Sequence, residues 1–119
     1  MSFDKESKYK VIETMQSIYR NGQILEMELR FSDRKEQAEE VWRKNMRLSQ
    51  EIDFLVGKAI DEWLGDASAV VKRLEKARGQ LQGSIDEIGA AIDSTDKAIK
   101  VIGAFDDALG TVMKVLKAL

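Results

Sequence analysis

Residues 63–68 read Trp63-Leu64-Gly65-Asp66-Ala67-Ser68, near the middle of the 119-residue chain and between two segments with helical periodicity. A glycine just past a helix end can adopt the left-handed conformation that caps it, and an aromatic residue on the last turn can hold two helices together. Asp66 is a suitable N-cap for the next helix. The stretch predicts a helix-to-helix turn with Trp63 and Gly65 as its motif.

The segment before this turn, residues 33–64, predicts the first helix of an antiparallel hairpin. Ser32 or Asp33 is a suitable N-cap, and Glu36 follows Asp33 at capping-box spacing. Asn45 is the one polar residue within the apolar stripe. The stripe recurs at three- and four-residue spacing at Ala38, Val41, Leu48, Ile52, Leu55 and Ala59, with Trp42, Val56 and Trp63 widening it.

The first 31 residues predict a short N-terminal element. Apolar residues between Val11 and Tyr19 have helical spacing, and Asn21-Gly22 can stop a helix or form a hairpin turn. Leu25, Leu29 and the apolar residues between and after them alternate strictly with charged ones. Residues 24–31 are therefore interpreted as either extended or helical.

After the turn, residues 66–118 predict a long second helix whose apolar residues form a heptad seam. Three polar residues interrupt the seam: Arg78, Thr95 and Asp106. Arg78 and Asp106 either set register and partner choice or lie where the seam is exposed. The side chains expected to form a partner interface are Ile85, Ile88, Ile92, Ile99, Ile102, Phe105, Leu109, Met113 and Leu116.

This second helix is interpreted as either continuous or broken near residue 83 or 94. Gly83-Ser84 followed by Glu87 resembles a stop and a capping box, and Asp93-Ser94-Thr95-Asp96 is a weaker signal. A continuous helix of about 80 Å would outrun its hairpin partner, leaving an apolar face for self-association or for another subunit. A break near 94 would give a compact four-helix bundle. Three glycines in one column predict a close backbone approach: Gly89, Gly103 and Gly110.

Composition limits the possible chemistry. The chain has no cysteine, histidine or proline, 34% charged residues and a net charge of -2. These features predict a single all-α domain over residues 1–119 with coiled-coil or bundle packing, and no metal site, cofactor or catalytic residue. The balanced charge does not favour a nucleic-acid partner, and no apolar run reaches the roughly 20 residues of a spanning helix. The expected location is cytoplasmic, or secreted without a cleavable signal peptide.

The Trp63-Leu64-Gly65 turn resembles that of the WxG family, small helical-hairpin proteins of type VII (ESX) secretion systems. Residues 29–33, Leu-Arg-Phe-Ser-Asp, are similar to the short extended segment that often precedes the first helix in that family. Residues 65–68, Gly-Asp-Ala-Ser, and residues 92–99, Ile-Asp-Ser-Thr-Asp-Lys-Ala-Ile, resemble patterns of its second helix. The similarity covers residues 24–105.

One feature departs from the family pattern. Exported members commonly carry an aromatic residue followed four positions later by an acid, whereas Phe105 is followed by Leu109. The resemblance implies a substrate of a type VII system, or a partner or targeting chaperone for a larger secreted protein, and the missing acid favours the partner or chaperone role. The chain would act as a homodimer or as a heterodimer with another helical protein, such as a secreted toxin. The alternative hypothesis is a helical-bundle or coiled-coil adaptor unrelated to secretion. Both are non-enzymatic protein-binding roles.

Overall fold

The computed structural model describes residues 2–88 and 92–119. It contains helices α1 (Lys5–Phe31), α2 (Lys35–Gly57), α3 (Ala67–Ile88) and α4 (Thr95–Ala118), together with a short 3-10 turn at Ile60–Glu62. No strand occurs within these residues. The predicted all-α class is confirmed.

The helices form two antiparallel hairpins, α1–α2 and α3–α4, that stack through α1 and α3. The starts of α1 and α3 lie side by side, as do their ends, so these two helices run parallel. The molecule is an up-down-up-down bundle with extents of 46 × 22 × 18 Å. Its centre consists of apolar side chains from all four helices. The largest fully buried ones are Met15, Ile18, Leu25, Leu29, Leu48, Leu74, Leu81 and Phe105.

The predicted pairing of the helices on either side of the Trp63-Leu64-Gly65 turn is wrong. Among the described residues, α2 packs extensively on α1 alone, whereas α3 packs on α1 and α4. The segment from residue 58 to residue 66 therefore joins two helices that are not neighbours. The hairpins are formed by the two other connections.

The first helix is continuous where a stop or an extended segment was expected. α1 passes through Asn21 and Gly22 and includes residues 24–31, so the extended interpretation is wrong. Both Asn21 and Gly22 are buried, and Gly22 lies against Asn45 of α2, so tertiary packing outweighs their weak helix propensity. Residues two apart project about 200° apart on a helix. The apolar alternation accordingly places Leu25 and Leu29 in the core and Met27 on the surface.

Asp33 ends α1 instead of beginning α2. Its φ of 58° is left-handed, and the N–H of Arg34 donates to the carbonyl of Leu29 at 2.8 Å, as at a helix C-terminus. The N-cap of α2 is Arg34, which has no capping side chain, so the predicted Asp33–Glu36 capping box is wrong. The first hairpin helix spans residues 35–57 instead of 33–64.

The continuous form of the second helix is also excluded, because α3 ends at Ile88 and α4 begins at Thr95. Ser94 caps α4 by accepting a hydrogen bond from the N–H of Lys97 at 3.2 Å. The Gly83-Ser84 pair lies inside α3, so no break occurs near 83. A Cβ added at Gly103 or Gly110 would meet no atom within 4 Å, so the predicted close approach is wrong at both; Gly89 lies outside the described residues.

Candidate protein-interaction surface

The Trp63-Leu64-Gly65 stretch lies in the connection between α2 and α3. Trp63 is 4% exposed, and the ring of Phe3 packs edge-on against it with centroids 5.2 Å apart. The Lys8 ammonium lies 5.3 Å from the centroid of the Trp63 ring, within cation–π range. Trp63 thus anchors the connection to the start of α1 instead of clamping a hairpin.

Gly65 and Asp66 have the local conformations that the sequence predicted. Gly65 has a φ of +104°, which favours glycine. It does not cap a helix as predicted, because the preceding 3-10 turn ends at Glu62 and Trp63 after it is extended. Asp66 accepts from the N–H groups of Ser68 and Ala69 at 3.0 and 3.4 Å and so caps α3. The Ala69 N–H, the leading cause, lowers the pKa of the Asp66 carboxyl.

The predicted partner interface on the C-terminal seam lies mostly inside the chain. Ile88, Ile92, Phe105 and Leu109 are buried in the core. Ile99 is the exception, with 61% of its surface exposed. The remaining predicted residues are partly buried, and Ile85, Ile102 and Leu116 pack against the core, whereas no core contact is shown for Met113. Folding into a bundle covers most of the surface that a continuous helix would have left free.

The two polar residues of the seam have different environments. Arg78 is partly buried on α3. Asp106 is exposed on α4, and its carboxylate accepts a hydrogen bond from the Lys44 ammonium on α2 at 2.8 Å. This ion pair joins α2 and α4 within the chain, and exposed pairs of this kind contribute at most about 1 kcal/mol.

The contact between α1 and α2 is defined by buried polar groups. The side-chain amide of Asn45 donates to the carbonyl of Tyr19 at 2.8 Å. A Cβ added at Gly22 would lie only 2.5 Å from the Asn45 side chain, so the glycine leaves the space that this amide occupies. At the other end of the hairpin, the Lys8 ammonium donates to the carbonyls of Val56 and Lys58. These contacts fix how α1 and α2 are aligned along their axes.

The opposite flanks of α1 and α2 are already occupied. α3 packs along one side of α1, and α4 approaches one side of α2 through the Lys44–Asp106 pair. Successive residues of a helix point about 100° apart, so each helix also carries side chains on the side of the hairpin that neither α3 nor α4 covers. We refer to it as the α1–α2 outer face, and its apolar members are Tyr9, Ile12, Tyr19, Met27, Trp42, Met46 and Val56.

The α1–α2 outer face is unusually apolar for a surface. Of the ten large apolar side chains exposed among the described residues, eight are on α1 or α2. Trp42 is 48% exposed, and Tyr9 is 68% exposed. Tryptophan, tyrosine and methionine are enriched at protein interfaces. The eight are Tyr9, Ile24, Met27, Phe31, Trp42, Met46, Phe54 and Val56. Five of them belong to the outer face, namely Tyr9, Met27, Trp42, Met46 and Val56, whereas the other three lie elsewhere on the hairpin.

One end of the outer face forms an open groove of about 680 Å³. Tyr9 and Ile12 of α1 face Val56 of α2 and Ile60 of the connection across it, and Lys5, Glu6 and Lys8 complete its lining. Within the described residues, no three carboxylates are grouped as they would be to hold a metal ion. No helix in those ranges is long and apolar enough to cross a membrane.

A scan against protein-family models, a search of curated proteins and a search of solved structures find no match to this chain. The fold and surface therefore define a class only, a four-helix bundle with an exposed apolar face on one hairpin. The resemblance to the WxG family stays a prediction.

The sequence contains a signal for this surface. The strict alternation around Met27 is compatible with a strand, and in a helix the same pattern gives two apolar sides. Trp42 and Val56, which widen the predicted apolar stripe of α2, are exposed in the structure. Apolar residues that lie off the main stripe of a helix are the signal that identifies an exposed second face.

Proposed function

We propose that this protein is a non-enzymatic, helical protein-binding module that engages its partner through the α1–α2 outer face. The observation that carries the proposal is that five of the ten large apolar side chains exposed among the described residues lie on this one face. Burial of each such side chain in an interface is worth about 1.5–3 kcal/mol when complete, which provides the driving force for association. The chain also lacks histidine, the most frequent general acid–base residue, and cysteine, an intrinsically strong nucleophile.

A site-specific crosslinking experiment tests the proposal. A photoreactive amino acid is introduced at Trp42 or Met27 on the outer face, and at Lys76 on the exposed side of α3 as a matched control. Irradiation in cells of the source organism should give discrete protein adducts from positions 42 and 27 and none from position 76. Equal adduct yields at all three positions, or none at position 42, would contradict the proposal.

A narrower proposal within this class is a WxG-like partner or targeting chaperone for a larger protein secreted by a type VII system. It is supported by the resemblance at Trp63 and Gly65 and by the positive φ of Gly65, which suits a turn motif. The partner would be another helical protein, in a homodimer or a heterodimer. Genes for a type VII machine beside this one, and export of a tagged chain into the medium, are the expected results.

The alternative, a bundle adaptor unrelated to secretion, is favoured by one specific observation. The helices on either side of the Trp-x-Gly stretch do not form the hairpin that the family resemblance implies. Under this alternative, Trp63 and Gly65 serve only the connection between α2 and α3. Replacing Trp63 would then reduce stability without changing which protein is crosslinked from position 42.

A further inference from the structure

We infer that two copies of this chain form a dimer by exchanging α4. In this exchanged dimer, α3 and α4 of each chain join into one continuous helix, and α4 packs on the other copy in the position that it occupies in the single chain. The inference goes beyond the proposed function, because the α1–α2 outer face contains no residue of α4. It rests on the heptad seam, a feature of the sequence that binding through the outer face does not use.

The buried faces of α3 and α4 keep one heptad phase across the connection between them. Two columns of residues at seven-residue spacing are buried in both helices, and three whole heptads separate the α3 part of each column from its α4 part. A turn between two helices does not require a common phase, whereas a continuous helix does. The first column contains Val70, Ala77, Ala98, Phe105 and Val112, and the second contains Leu74, Leu81, Ile88 and Leu109. α4 also buries a third column, which consists of Val101, Ala108 and Val115.

The sequence between the two helices is compatible with a helix. Residues 89–91 are Gly-Ala-Ala, and alanine is the best helix former. Ile92 continues the spacing of the seam from Ile88. The cap that begins α4 is the Ser94 side chain, which accepts from the N–H of Lys97 at 3.2 Å. A single N-cap changes the equilibrium between two forms of a chain only about fivefold.

The exchange preserves the contacts that hold α4 in the bundle. α4 packs on α3 and on α1, and the Lys44–Asp106 ion pair joins it to α2. Domain swapping replaces each such contact by the same contact with an identical chain. Only a second copy of this chain supplies an α4 with these side chains, which identifies the partner. The common heptad phase also places both α1–α2 hairpins on the same side of the two long helices, where each covers its half of the seam.

The two forms differ mainly in the connection and in entropy. The exchanged dimer gains helical hydrogen bonds across both connections and buries the same core, whereas two chains lose the freedom of separate molecules. The dimer should therefore be favoured at high protein concentration. Because α4 must leave the core before it is exchanged, the dimer should form readily when the chain refolds from urea at high concentration.

Mixed single-cysteine variants test the exchange directly. The chain has no cysteine, so Lys44→Cys and Asp106→Cys each introduce one thiol. The two variants are refolded together at high concentration and treated with a short bismaleimide. A covalent product of twice the chain mass is expected, because positions 44 and 106 face each other across α2 and α4 and lie on different chains in the exchanged dimer. Either variant refolded alone should not give this product.

A proline at the start of α4 separates the two forms of the chain. Thr95 is the first residue of α4 and follows Ser94, whose φ of -145° and ψ of 157° are extended. Proline is favoured at the first position of a helix and requires an extended residue before it, so Thr95→Pro is compatible with the single chain. Inside a continuous helix the ring removes a hydrogen bond and clashes with the preceding turn. Light scattering should show that the dissociation constant of the dimer rises about a hundredfold or more.

Two further variants complete the series. Lys5→Pro is the matched control, because Lys5 is the first residue of α1 and follows the extended Asp4, and it should leave the dissociation constant unchanged. Ser94→Ala should have the opposite effect to Thr95→Pro, because it removes the cap of α4 and introduces a good helix former. It should lower the dissociation constant about tenfold or more. Thermal melts monitored by circular dichroism verify that each variant is folded.

Three outcomes would overturn the inference. The native chain and Ser94→Ala could both refold only to monomers at high concentration, the dimer could give no crosslink between positions 44 and 106, or Thr95→Pro could leave the dimer intact. In the last two cases a dimer that Trp42→Ala abolishes would identify the outer face as the contact between copies. Photocrosslinking from position 42 tests the proposed function separately, since the Thr95→Pro chain retains the outer face.

Discussion

The two hairpins of this bundle differ in what they bury and in what they expose. Within the described residues, the buried polar side chains are Thr14, Asn21 and Asn45, all in α1–α2. Eight of the ten exposed large apolar side chains are also in that hairpin, whereas α4 contributes only Ile99. The α3–α4 hairpin follows the simple pattern of an apolar core and a polar exterior. The α1–α2 hairpin departs from this pattern twice, because it buries polar side chains and exposes apolar ones. Such departures are typical of a functional surface.

The largest effect is expected from the apolar core that α4 contributes. Phe105 is fully buried, so Phe105→Ala should lower the free energy of unfolding by about 3–5 kcal/mol. Phe54 on α2 is 71% exposed, and Phe54→Ala should change it by no more than about 0.5 kcal/mol. Chemical denaturation measures both. Similar losses for the two variants would mean that Phe54 is covered in solution and that the contrast between the hairpins is wrong.

A smaller effect, of opposite sign in the two hairpins, is expected from glycine substitutions. The new Cβ in Gly22→Ala would lie 2.5 Å from Oδ1 of Asn45 and displace a side chain that donates to the Tyr19 carbonyl. A buried polar group without its partner costs about 1–3 kcal/mol, which exceeds the gain of about 1 kcal/mol in helix propensity. Gly22→Ala should therefore destabilise the protein.

Gly110→Ala on α4 is the matched control, because a Cβ there meets no atom within 4 Å. It should stabilise the protein by up to about 1 kcal/mol. Adding Asn45→Ala to Gly22→Ala should cost less than the sum of the two single changes, since the two residues share one space. A stabilised Gly22→Ala variant would show that the close contact between α1 and α2 does not constrain the fold.

The smallest effect is expected at the N-cap between the two hairpins. Hydrogen bonding by the Ala69 N–H lowers the pKa of Asp66 from 3.8, so the charged form stabilises the folded state above that pH. This stabilisation is lost as the pH falls through the folded-state pKa. Asp66→Ala should lower the melting temperature at pH 7, and the gap to the native chain should narrow below about pH 4.

Asp66→Asn is the control for this pH dependence, because asparagine caps helices without titrating. Its melting temperature should stay close to that of the native chain at pH 7. A gap between the native chain and Asp66→Ala that stayed constant down to pH 2 would mean that Asp66 does not stabilise α3 through its charge.

The local predictions succeeded where a few neighbouring residues decide the conformation. The positive φ of Gly65, the N-cap at Asp66 and the capping signal within residues 93–96, where Ser94 caps α4, all follow from short-range hydrogen bonding or steric freedom. The capping box predicted at Asp33 is wrong, because Asp33 adopts a left-handed conformation that ends α1. Neighbouring residues decide this conformation too, so local sequence is compatible with both outcomes. The stop at Asn21-Gly22 failed because packing against Asn45 favours the helix.

The sequence by itself determined the all-α class, because helical periodicity and the lack of proline act along each segment separately. Only the tertiary structure decided which helices pair and which apolar residues stay exposed. A heptad seam is compatible with one long helix that needs a partner or with two helices that cover each other, and periodicity is the same in both. The break between Ile88 and Thr95 turns the seam inward, and α1–α2 is left with the exposed apolar face.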